Sequence, residues 1–171
     1  ADSSWGHYVL SSAYQWAGRY DDALEEARIS VSLNPNNAIA LQSLGNKLDL
    51  AGDPSGITYM EKAQRLDPAN AGKHIQLSFL ARARFNIGDF EGAGALARKA
   101  VRGDESYAPA YFILALALGQ IGQLMEAQTA IARCDELRPG LVAERRKWQP
   151  YKDPASNERL QVALVSPTVQ N

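Results

Sequence analysis

Residues 18–35, GRYDDALEEARISVSLNP, open on a glycine, close on a proline and read as a helix in between. Three later stretches share this form: GDPSGITYMEKAQRLDP at 52–68, GDFEGAGALARKAVRGDE at 88–105 and GQLMEAQTAIARCDELRP at 122–139. Their opening glycines, Gly18, Gly52, Gly88 and Gly122, are 34, 36 and 34 residues apart, a period that signals stacked structural repeats. Before each glycine lies a second apolar pattern at three- and four-residue steps: Tyr8, Leu10, Ala13 and Tyr14; Leu41, Leu44, Gly45 and Leu48; Leu77, Leu80, Ala81 and Phe85; Tyr111, Leu114, Ala115 and Leu118. That spacing marks one face of a helix. Each unit is therefore helix, glycine turn, helix, and one such hairpin cannot bury its apolar face without neighbours.

The turn glycines supply backbone freedom, and Pro35, Pro68 and Pro139 stop the second helix because proline cannot continue the hydrogen-bond ladder. Ala23, Ala93 and Ala127 fall where the second helix approaches the first, where a longer side chain would push the pair apart. The second unit is one residue short near Asp53-Pro54-Ser55, where Asp53 is expected to cap the helix with Pro54 in its first position. The third carries about three extra residues around Ala71-Gly72-Lys73 and ends in Asp104-Glu105 without a proline.

The pattern resembles the tetratricopeptide repeat (TPR), with Leu10, Tyr14, Gly18, Tyr20, Ala23 and Pro35 in register in the first unit and Tyr111, Leu114, Ala115, Gly122, Ala127 and Pro139 in the fourth. The resemblance covers about residues 4–141. It implies an all-α fold, a right-handed superhelix of antiparallel helix pairs, with repeats at about 4–37, 38–70, 71–107 and 108–141. Residues 142–165 are expected to form capping helices, the last starting at Asp153-Pro154 with Leu160, Val162, Ala163 and Leu164 as its apolar positions, and 166–171 a flexible tail.

Composition narrows the partners. With 18 Lys+Arg against 19 Asp+Glu, the net charge of -1 leaves no footprint for nucleic acid or an anionic membrane. No apolar run approaches the length of a membrane span, and the first residues, ADSSWGHY, lack the basic and apolar regions of a signal peptide. The single cysteine, Cys134, excludes an internal disulfide and fits a reducing compartment, so a cytoplasmic location is expected. The lack of a methionine before Ala1 reads as a boundary inside a longer protein.

Chemistry-bearing residues are sparse. His7 and His74 have no Cys, Asp or Glu at ligand spacing beside them, and no zinc-protease, nucleophile-elbow or P-loop pattern is present, so no catalytic residue, metal or cofactor is expected. Asp21-Asp22 and Glu25-Glu26 read as the start and solvated outer face of a helix, Cys134 as a buried small residue, and Arg145-Arg146-Lys147 beside Trp148 as a helix-end cluster.

What remains is surface. In a TPR stack the first-helix residues that do not pack inside the hairpin line a concave groove. By register these are Trp5, Tyr8, Ser12, Gln15, Gln42, Asn46, Asp49, Ser78, Arg82, Phe85, Phe112 and Leu116. Aromatics mixed with amides and an arginine suit a peptide held by its backbone while its side chains enter apolar pockets. The lysine–asparagine set of the carboxylate clamp is absent, with only Asn46 and Arg82 near such places, which argues against a chaperone C-terminal peptide. The exposed first helix, with Trp5, Tyr8 and Trp16, further predicts a homodimer through the N-terminal helix pair.

The C-terminal stretch is similar to the C-terminal TPR region of bacterial class III adenylate cyclases and winged-helix transcriptional regulators, through Pro139, Pro150, Asp153-Pro154 and Arg159-Leu160. That resemblance implies a non-catalytic regulatory module whose parent carries its cyclase or DNA-binding domain before Ala1. The alternative is a free-standing adaptor or assembly factor that binds a peptide in its groove.

Overall fold

The computed structural model describes residues 3–147, apart from the Arg146 side chain, and 157–158. The expected terminal helix from Asp153-Pro154, its apolar positions Leu160, Val162, Ala163 and Leu164, and the 166–171 tail lie outside the described residues. Among those described there are helices and turns and no strand. The chain divides into two compact units, Ala1–Asn70 and Ala71–Asn171.

The first unit holds α1 (Ser4–Trp16), α2 (Tyr20–Leu33), α3 (Ala38–Leu50) and α4 (Gly56–Leu66). Helix α1 pairs with α2 and α3 with α4, and α3 also packs on α2 and α1. The starts are capped as side-chain chemistry allows: Ser3 Oγ accepts from the Gly6 amide, and Asn37 Oδ1 accepts from the amides of Ile39 and Ala40. Asp21 and Asp22 stand in the first turn of α2, where the helix dipole favours negative charge. Ala27, Leu44 and Leu48 form a core cluster, flanked by Leu24, Val31 and Tyr59.

The second unit holds α5 (Lys73–Asn86), α6 (Phe90–Gly103), α7 (Ala108–Gln120), α8 (Leu124–Leu137) and the short α9 (Leu141–Lys147). Here α5 pairs with α6 and α7 with α8, α7 packs on α6 and α5, and α9 packs on α8. Leu77, Ala100 and Ala110 make the core cluster between the two hairpins, with Leu96, Val101 and Tyr107 against it.

Each hairpin buries a small residue of its first helix and one of its second at corresponding positions: Ser11 and Ala23, Gly45 and Gly56, Ala81 and Ala93, Ala115 and Ala127; in the first two pairs the residues meet directly. All eight are buried. Every turn glycine has positive φ, from 74° at Gly18 to 84° at Gly88, a region that disfavours a Cβ. A fifth, Gly140, at φ 86° follows Pro139 and turns the chain into α9.

One local expectation changes, and one departure from the repeat is explained. The second helix of the second hairpin begins at Gly56, not at Pro54, because the Asp53 carboxylate accepts from the Ser55 amide at 2.9 Å and so closes a turn before the helix can start. At the end of α6, Asp104 does the work of the missing proline. Its backbone is extended, and its Oδ1 accepts from both the amide and the hydroxyl of Ser106.

Candidate functional site

The histidines show what becomes of the chain's few titratable groups. His7 Nδ1 lies 2.6 Å from Glu26 Oε2, and His74 Nε2 lies 3.5 Å from Asp104 Oδ2. Each pair ties a first helix to the second helix of its own hairpin or to that helix's end. This corrects the reading of the histidines as lacking an acid and of Glu26 as part of a solvated face: the acids are distant in sequence and are brought close by the hairpin. His74 also meets the Tyr107 ring edge-on at 5.0 Å. Among the described residues no group of three or more His, Cys, Asp or Glu could hold a metal ion. Cys134 is buried, and burial pushes its thiol up to about 11, which makes it a poor nucleophile at neutral pH.

The groove residues fall into two sets, one on each unit. On the first unit, Trp5, Tyr8, Ser12 and Gln15 project from α1. Trp5 and Tyr8 rings lie 5.0 Å apart, and the Ser12 hydroxyl donates back to the Tyr8 carbonyl. Trp16, which the groove reading left out, belongs with them, since it follows Trp5 by eleven residues, close to three helical turns. That spacing was the available signal. Trp5 is 57% exposed and Trp16 91%.

On α3 the equivalent positions are Gln42, Asn46 and Asp49. Gln42 and Asp49 are buried and Asn46 is half-buried. Both amide atoms of Gln42 lack a hydrogen-bond partner. Beside this face sits a group that sequence reading missed, Lys47. Its ammonium donates to Ser43 Oγ at 2.9 Å, and burial pushes its pKa down to about 8.

On the second unit, Arg82 is half-buried with its guanidinium 5.4 Å from the Phe79 ring centroid. Ser78 is buried with its hydroxyl lacking a hydrogen-bond partner. Phe85, Phe112 and Leu116 are buried as well, so they are not open lining. Phe85 is taken up by its own hairpin: the Gly88 turn brings Phe90 back against it, with ring centroids 5.2 Å apart. The open part of the predicted lining is therefore concentrated on α1.

The geometry can be set beside known proteins. Residues 108–140, the α7–α8 hairpin, match the tetratricopeptide repeat family model. A search of the curated proteins finds no sequence match. Among solved structures, the chain is similar to PilW, titled a widely conserved type IV pilus biogenesis factor, at 19% identity and a TM-score of 0.75, covering 99% of this chain and 82% of that one. It is similar to MamA 41-end from Desulfovibrio magneticus RS-1 at 18% identity and a TM-score of 0.70, covering 100% and 98%. It is also similar to YrrB, described as a TPR protein with an unusual peptide-binding site, at 19% identity and a TM-score of 0.63, covering 92% and 83%. At these identities the likeness is one of fold: the all-helical repeat that the periodicity predicted, with the superhelical architecture that the TPR resemblance implied.

Proposed function

We propose that this chain is a non-catalytic protein–protein interaction module that holds an extended peptide of its partner on the first-helix surfaces of its hairpins. The observation that carries this reading is the α1 face, where Trp5 and Trp16 stand largely exposed beside Tyr8, Ser12 and Gln15. Large aromatics exposed together are anchors for a partner more often than ordinary surface. At the equivalent place on α3 the Gln42 amide is buried with neither atom hydrogen-bonded, so a peptide backbone drawn against this face would satisfy its donor and its acceptor. Asn46 and Asp49 extend this set on the first unit, and Ser78 and Arg82, over the apolar floor of Phe85 and Phe112, supply the matching set on the second. YrrB, with its peptide-binding site, supports this reading by analogy of fold.

The test is selection of peptides from a random display library on this chain, followed by titration calorimetry. Trp16→Ala and Tyr8→Ala should each weaken a selected peptide by tenfold or more, on the order of 1.4 kcal/mol. Peptides that bind a Trp5→Ala/Trp16→Ala double variant as tightly as the parent would remove α1 from the site.

The setting we propose is a cytoplasmic regulatory module at the C-terminal end of a bacterial cyclase or transcriptional regulator, on the strength of Pro139, Pro150 and Arg159-Leu160. The adaptor alternative is supported by PilW and MamA, whose chains are matched over 82% and 98% of their length. Reading the native gene upstream of Ala1 separates them: a cyclase or winged-helix domain supports the first, and an immediate start or an export signal the second. In either setting the exposed α1 is expected to support self-association.

A further inference from the structure

Helices α3 and α7 each stack on the hairpin before them within their own unit, and their registers align Ala38 with Ala108. Lys47 of α3 therefore stands where α7 has Ala117. Ala117 is fully buried, and its Cβ lies 3.8 Å from where a Cβ on Gly94 of α6 would stand, so this position faces the second helix of the preceding hairpin. The third hairpin has Ala83 at the same register, buried as well. In α3 the place is taken by a lysine that is only 6% exposed. Four residues earlier, where α5 has Phe79 and α7 has Ile113, α3 has Ser43. Lys47 lies three residues after Leu44, on the same side of the helix, and Leu44 forms a core cluster with Leu48 and with Ala27 of α2. The charged residue thus sits beside the contact that joins the two hairpins of the first unit.

An ammonium has three donors, and that of Lys47 gives one to Ser43 Oγ at 2.9 Å. Among the described residues no carboxylate forms an ion pair with it: Asp22 is held by Arg19, Glu26 by His7, and Asp49, two residues on, lies on a different side of the helix. Burial pushes its pKa down to about 8, with no neighbouring charge to offset it. At 6% exposure little of the side chain is left for any further segment to cover. A buried ammonium without a counter-charge is costly, and the cost is relieved when it reaches water.

We propose that Lys47 makes the seam between α2 and α3 an opening joint, at which the α1–α2 hairpin parts from the α3–α4 hairpin as one body while the rest of the chain stays folded. Each hairpin is fastened within itself. In the first, the Ser11 hydroxyl donates to the Ala23 carbonyl and His7 meets Glu26; in the second, Gly45 lies against Gly56. Neither set of contacts crosses the seam, so both hairpins persist when it opens. Repeats that touch only their neighbours open at their weakest interface first. Between α6 and α7 the same place holds Ala117 beside Gly94, with no charge to release, and that seam stays shut. Tyr8 and Ser12 lie on α1 and Gln42 and Asn46 on α3, so the joint runs between the two halves of the first unit's proposed lining. The opening itself does not depend on the peptide reading.

The experiment is native-state hydrogen exchange of the whole chain at pH 7, read residue by residue by NMR, in the wild type and in Lys47→Met. Methionine keeps an aliphatic stem in the seam and removes the charge. In the wild type the amides of α1 and α2 should exchange as one group, faster than those of α3 and α4. In Lys47→Met that group should slow by about tenfold or more, up to the roughly 300-fold that a fall from 10.5 to about 8 corresponds to, while the α7 and α8 amides keep their rates. Lys47→Leu takes its place should Lys47→Met fail to fold, with circular dichroism reporting the fold of each. Wild-type α1 and α2 amides that exchange no faster than those of α3 and α4 overturn the joint, as do unchanged rates in both variants. A slowing shared equally by all four helices also overturns it, because Lys47 would then act on the unit as a whole and not on the seam.

Discussion

Gly45 of α3 and Gly56 of α4 meet backbone to backbone. A Cβ on Gly45 would lie 2.6 Å from the Gly56 carbonyl oxygen, and one on Gly56 would lie 2.5 Å from the Gly45 carbonyl oxygen. The other hairpins place Ser or Ala at these positions, and in the first the Ser11 hydroxyl donates to the Ala23 carbonyl at 2.7 Å. The second hairpin thus closes backbone on backbone, at the cost of a glycine inside α3, about 1 kcal/mol worse than alanine in propensity, while Gly56 is the first residue of α4.

Adding a methyl there should destabilise the protein. Gly45→Ala and Gly56→Ala each press a side chain into backbone that cannot move aside, and we expect a net loss of about 1–3 kcal/mol despite the propensity gain. Gly94→Ala in α6 is the control of opposite sign. Its Cβ would stand 3.8 Å from the Ala117 Cβ, an ordinary contact, so it should gain about 0.5–1 kcal/mol. Urea unfolding of the three variants settles both signs.

Gly88 isolates the backbone term. It has φ 84° and nothing within 4 Å of the place where a Cβ would be. Gly88→Ala should cost about 1 kcal/mol through conformation alone, and Gly88→Asn less, because asparagine tolerates this region better. Equal stabilities for the two variants would refute this account.

Lys47 makes stability depend on pH. Its folded pKa of about 8 lies below the unfolded value of 10.5, so the unfolded chain binds the extra proton between those values. Stability should therefore rise as pH increases from about 8 to about 10.5, by up to roughly 3 kcal/mol from this group, and the cost is fully present below pH 8. Lys47→Met should be more stable than the parent at pH 7, with the difference shrinking across that window. Parallel pH profiles for the two proteins would refute it.

Cys134 should be hidden from alkylating reagents. It is fully buried and its thiol is pushed up to about 11, so iodoacetamide at pH 8 should label native protein far more slowly than protein in urea. Equal labelling rates would place the thiol at the surface.

Local periodicity explains what could be read in advance. The helix pairs, the turn glycines, the small residues at each crossing and the buried Cys134 follow from spacing within some thirty residues, because a helix repeats every 3.6 residues and only glycine suits the turns. By itself the sequence determined the repeat fold and the set of first-helix positions from which a binding face is drawn. Tertiary packing decided which of those positions are open. Phe85 was lost from the lining because Phe90 folds back on it, and Trp16 was added because it stands exposed among the described residues. His7 found Glu26 across its own hairpin, and Lys47 was buried, through the approach of one helix to another. Burial depends on how closely neighbouring helices pack around a residue, a distance in space that the order of residues along one helix does not encode.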